Sequence, residues 1–110
     1  MTPPYKQFAI YWCDLEPTFG HQLKKTRPCV IVSPDEMNGS LGTVIIVPLT
    51  STVRIFPFYV PVAYHGRAGA LACDQIKTID KRRVGKLFAE LNRKDTEQLS
   101  SVLTTMFQAA

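Results

Sequence analysis

Residues 29–50 read CVIVSPDEMNGSLGTVIIVPLT. Two apolar, β-branched runs, 29–33 and 43–50, stand on either side of a cluster of turn formers. Branching at Cβ suits a pleated, half-buried surface, so each run predicts a strand. Ser33-Pro34-Asp35 ends the first run, and MNGSLG predicts a turn with Asn38-Gly39 as its tightest element. Pro48 has no ladder donor, which predicts an edge or a bulge at that end of the second run.

The same pattern continues outward. Residues 7–13, QFAIYWC, predict a strand that DLEPTFG breaks at Pro17 and Gly20. Residues 57–62 predict an interrupted strand, YHGRAG a loop carrying His65 and Arg67, and 70–79 an extended segment. Asp80 is placed to cap a short turn over KRRVG, and 86–91 predict a last strand, although the same letters suit a helix. Asp95-Thr96-Glu97-Gln98 has the form of a capping box. Leu99, Val102, Leu103, Met106 and Phe107 then recur on one helical face, which predicts core packing rather than a cofactor box. Short strands followed by one amphipathic helix predict a small, mostly β barrel with the helix packed on it.

The 110 residues predict a single domain, 1–110. Such a chain buries roughly 60–70% of its unfolded surface, enough for one core without staples. No apolar run approaches the ~20 residues of a membrane span, and the first residues lack the pattern of an export signal. Cys13, Cys29 and Cys73 are odd in number and form no CxxC pair; with only His21 and His65 to join them, no metal site is expected. They read as small apolar residues of a reduced cytoplasmic protein. The net charge of +4 is compatible with a polyanionic partner.

The cations concentrate just before the first of the two quoted strands, in GHQLKKTRP, residues 20–28. Arg27 carries a planar fork of donors that matches two phosphate oxygens, and Pro28 fixes the backbone behind it. His21 titrates near neutrality. Lys24 and Lys25 supply attraction to phosphate or mere solvation. Thr50 closes the second strand among hydroxyls, and Asp74 stands in an apolar stretch beside Gln75. There is no phosphate-cradling glycine loop, no HExxH and no GxSxG. Cations, hydroxyls, a carboxylate and an imidazole are a set that can cleave RNA without metal, by attack of the 2′-OH on its own phosphate.

These residues resemble those of the MazF/PemK (Kid) family of toxin endoribonucleases. The resemblance runs through IYWCDLEPTFGHQLKKTRPCVIVSPDEMN, VIIVPLTS and ACDQIKTIDKRRVGK. It implies an SH3-like barrel of the MazF/PemK/CcdB type with a C-terminal helix. It implies a type II toxin that cuts single-stranded mRNA without a cofactor, as a cytoplasmic homodimer, neutralised by a MazE/PemI-like antitoxin. Operator DNA is expected only through that antitoxin, and no membrane is involved. The implied catalytic residues are Arg27, Thr50, Asp74 and His21. Gln22, Lys24, Lys25, Ser51, Gln75 and Arg67 are the implied RNA contacts.

Two positions depart from the family pattern. Gln22 stands where the family has an acid, and an amide accepts no proton at useful pH. Ala72-Cys73 stand before Asp74 where the PemK branch carries a basic residue. The general base is then Asp74 or His21, with Asp74 favoured. The alternatives are a weakly active or regulatory relative and a CcdB-like gyrase poison. The ending MFQAA lacks the aromatic-glycine-apolar signature of the latter.

Overall fold

The computed structural model describes residues 5–15, 20, 26–52 and 56–109. Its strands are β1 (Ala9–Asp14), β2 (Thr26–Ile31), β3 (Thr43–Thr50), β4 (Tyr59–Tyr64), β5 (Arg67–Ala72), β6 (Lys77–Asp80) and β7 (Val84–Glu90). Two helices accompany them, α1 (Asp35–Ser40) and α2 (Arg93–Phe107). All pairings are antiparallel, in the order β4-β5-β3-β2-β1-β7, with β6 also on β3.

That order forces the sheet to curl. β6 and β7 lie on opposite edges of β6-β3-β2-β1-β7, yet only Lys81–Arg83 connect them. Four Cα steps reach at most about 15 Å. A flat sheet would separate those edges by about 19 Å. The curl encloses one core, which includes Tyr11, Cys13, Cys29, Ile31, Val44, Ile46, Ile79 and Val84. The opposite face carries a second core of Ile10, Val30, Val47, Val60, Val62, Leu71, Cys73 and Leu99. Alternation along β1, β2 and β3 supplies both cores from the same strands. Helix α2 lies on the outer core through Leu99, Val102, Leu103 and Met106. Burying Leu99, which is fully enclosed, contributes about 1.5–3 kcal/mol.

The mostly β architecture with a C-terminal helix agrees with the sequence reading, and β3 falls on the expected residues. Several local expectations are corrected. MNGSLG is not a simple turn: Asp35–Ser40 form α1. Buried Asn38 decides it, donating its side-chain amide to the carbonyls of Ser33 at 2.9 Å and Tyr5 at 3.3 Å. β2 begins at Thr26, so Arg27 lies within the strand rather than in the loop before it. The extended segment 70–79 is broken by a 3₁₀ turn over Cys73–Gln75. Helix α2 starts two residues before Asp95, capped by Asn92, whose Oδ1 accepts from the Asp95 N–H at 2.8 Å. Phe107 is exposed rather than packed.

Pro48 lies in a central strand, but at a gap. The Ile45 carbonyl accepts from the N–H of Val32, the residue just after β2, so odd positions of β3 point their backbone groups at β2 and even ones away. Pro48 therefore faces the other side. There β3 changes partner, from β6 at Ile46 to β5 at Leu49. The missing N–H costs no ladder bond. Asp80 caps the turn after it as expected, accepting from the Arg82 N–H at 2.8 Å.

Candidate functional site

Strand alternation sorts the candidate residues onto two faces. Arg27 is two residues from Cys29 and shares its inward side; Thr50 shares the side of Ile46, and Lys77 that of Ile79. All three stand toward one open end of the curl. Arg27 is half-buried, directly opposite Cys13 on β1, with its Nη1 donating to the Leu49 carbonyl at 3.5 Å. Thr50 is 5% exposed, and its Oγ1 accepts from the Thr52 N–H at 3.2 Å. That bond tightens the chain as it leaves β3 and fixes the hydroxyl's position.

The thiol of Cys29 reports the charge at this end. Its hydrogen bond with the Cys13 thiol and its burial push its pKa far up, while Arg27 and Lys77 pull it down. Two cations therefore act on one buried sulfur. Lys77 also lines a groove of about 170 Å³ with Asp14, Ile79 and Arg83. Arg83 is paired there with Asp14 at 3.7 Å. Cys13, Cys29 and Cys73 are buried free thiols, as expected. Burial, then the Asp74 carboxylate, pushes the Cys73 thiol up to about 12.

The outer face carries a cleft of about 480 Å³. Trp12, Pro28, Leu49, Val62 and Phe88 make its apolar walls, and His65 and Arg67 stand at it. Arg67 and His65 do not form a loose loop. His65 and Gly66 both have positive φ, +54° and +74°, which makes a two-residue type I′ turn between β4 and β5. The turn is tied to β7 by the His65 Nε2 contact with the Phe88 carbonyl at 2.8 Å, and the two rings meet edge to face. The hydroxyl of Tyr64 donates to Asp95 at 2.8 Å and accepts from the Asn92 N–H at 3.0 Å, joining the hairpin to the start of α2.

The structure thus brings Arg27 and Thr50 together, and places Arg67 on the outer cleft, which Thr50 and Ser51 also border. Asp74 is exposed and Gln75 half-buried, in the 3₁₀ turn between β5 and β6. His21, Gln22, Lys24 and Lys25 lie outside the described residues. Sequence reasoning passed over Lys77 and Trp12. Lys77 could have been found by counting back from Ile79 on an alternating strand; nothing local marks Trp12 as a cleft wall.

The profile of the PemK-like, MazF-like toxins of type II toxin-antitoxin systems matches residues 6–107. The chain belongs to this family. The endoribonuclease toxin MazF of Escherichia coli K12 is 34% identical over 76 residues, covering 69% of this chain and 68% of that protein. MazF from Deinococcus radiodurans superposes with a TM-score of 0.82 at 26% identity, covering 96% of each chain. A MazE–MazF structure from the same organism superposes at 0.78 with 25% identity, covering 96% of this chain and 97% of that one. For this family member, the curled sheet and its C-terminal helix are the shared architecture, and Arg27 and Thr50 stand where β2 begins and β3 ends.

Proposed function

We propose that the protein is the toxin of a type II toxin-antitoxin pair and cleaves single-stranded RNA through its own side chains, without a metal. The observation that carries this reading is the placement of Arg27, a half-buried guanidinium on a regular strand beside a buried Thr50 hydroxyl. A charge held on a strand rather than a loop tip is preorganised. It costs little reorganisation when the phosphate gains charge. The relatives named endoribonucleases support the reaction class.

In the reaction, the ribose 2′-oxygen attacks the adjacent phosphorus as a base takes its proton. Arg27 stabilises the pentacoordinate dianion, and Thr50 donates a hydrogen bond to a phosphate oxygen. The bond to the 5′-oxygen breaks, and an acid protonates it. The products are a 2′,3′-cyclic phosphate and a 5′-hydroxyl. Asp74 is the favoured base, and the role left for His21 is to protonate the leaving oxygen. Gln22, Lys24, Lys25, Ser51, Gln75 and Arg67 contact the strand. The one domain acts as a cytoplasmic homodimer, held in check by an acidic MazE-like antitoxin, as the MazE–MazF pair suggests. Among the described residues no helix is long and apolar enough to cross a membrane.

The test is incubation of purified protein with long single-stranded RNA in EDTA, with the ends of the products mapped. Cuts that leave 5′-hydroxyl ends, and that vanish when the cut nucleotide is 2′-deoxy, are expected. Arg27→Ala should lower turnover by ~10²–10³, the usual size for one preorganised charge stabiliser, with an unchanged melting temperature. Cleavage of an all-DNA strand, strict Mg²⁺ dependence or a fully active Arg27→Ala refutes the reading.

A further inference from the structure

Lys77 opens β6 opposite Ile46 and shares the inward side of Ile79. It is half-buried, yet among the described residues it makes no ion pair with a carboxylate. Asp14, Asp80 and Arg83 line the same groove, but both carboxylates are paired elsewhere, Asp14 with Arg83 at 3.7 Å and Asp80 with Arg82 at 3.0 Å. Lys77 and Arg27 act on the same Cys29 thiol, so two cations converge on one end of the curl. An ammonium partly stripped of water beside a second cation is unfavourable unless an anion joins it.

We propose that Lys77 is a phosphate-binding residue of the RNA site, its ammonium holding a backbone phosphate next to the one Arg27 engages. The proposal rests on the ribonuclease reading above. An ammonium is a point charge without the fork of a guanidinium, so it reads charge and not base identity. Lys77 comes three residues after Asp74, on the far side from Ala72-Cys73. It thereby brings a cation to the CDQ turn of a chain that has none immediately before it.

The experiment measures binding, which does not require cutting. A fluorescein-labelled, random-sequence pool of 2′-O-methyl RNA, blocked at the attacking oxygen, is titrated at several salt concentrations. Each phosphate contact on a single strand contributes about 0.7 to the slope of log affinity against log salt. Lys77→Met keeps the apolar stem and should lower that slope by about 0.7. Lys77→Arg should restore it. Arg93→Gln, on α2 and paired with Glu97, should leave it unchanged. Lys77→Gln serves the same purpose if the methionine variant does not fold. A slope unchanged by the loss of Lys77, in a protein whose wild type cuts RNA, overturns this inference and leaves the ribonuclease reading standing. A wild type that neither binds the pool nor cuts RNA overturns both.

Discussion

Gly69 is where the fold presses hardest on the candidate site. It lies in β5 beside the residues that pair Thr50 with Ala70. A Cβ added there would stand 2.6 Å from the Thr50 carbonyl oxygen and 3.4 Å from Leu49 Cδ1. The near atom is backbone, so no side chain can swing aside. Returning 2.6 Å to an ordinary contact near 3.4 Å requires β3 and β5 to part by about 0.8 Å. Overpacking of this kind costs about 1–3 kcal/mol. For a domain of this size, that lowers the melting temperature by roughly 5–20 °C. The displaced atoms belong to Thr50 itself. A misplacement near 1 Å at a reacting group costs on the order of 10² in rate. Gly69→Ala should therefore lose both stability and turnover. Gly42→Ala is the matched control, because a Cβ there meets nothing within 4 Å. Thermal unfolding followed by circular dichroism, alongside cleavage of a labelled RNA, measures both quantities. If Gly69→Ala melts with Gly42→Ala and cuts at the wild-type rate, the β3–β5 contact does not position Thr50.

Asp74→Asn should remove most cleavage, while Gln22→Glu leaves it similar or raises it. An active Asp74→Asn beside a dead His21→Ala would assign the base to His21 instead. Tyr64→Phe removes the hydroxyl that serves both buried Asp95 and the Asn92 N–H, and should cost about 1–3 kcal/mol in urea unfolding. A cost below about 0.5 kcal/mol would contradict that network. Stability should decline on the alkaline side. The Cys73 thiol is raised from 9.0 to about 12 and the Tyr64 hydroxyl from 10.0 to about 12, chiefly by burial. Below pH 9 both are neutral in the folded and unfolded chain. Above it, the unfolded chain releases its protons first, so stability present below pH 9 is lost as pH rises toward 12. Cys73→Ala should flatten the decline between 9 and 12, and an unchanged profile in that variant would refute the assignment.

The amino-acid sequence determined most elements and the residues at which chemistry is expected. Strand β3 follows from TVIIVPLT, because β-branched side chains suit a pleat whatever lies beside them. The helical stripe from Leu99 to Met106 follows from a period set by the backbone itself. The Asp80 cap follows from a side chain that reaches only its own next residues. These are local facts, complete within a few positions. Tertiary structure decided what depends on distant partners. Alternation says that Arg27 and Pro28 face opposite ways, but only the closing of β6 toward β7 says which of them faces the enclosed core. Asn38 became helical through Ser33 and Tyr5, the latter 33 residues away in the chain. Asp95 yielded the cap to Asn92 and turned to Tyr64, 31 residues away. Lys77 gained its meaning only when pairing with Ile46 put it on the side of Arg27. Backbone preference and side-chain reach are written in neighbours along the chain. Which face is enclosed, and which charges meet, is set by strand pairing between residues far apart in sequence.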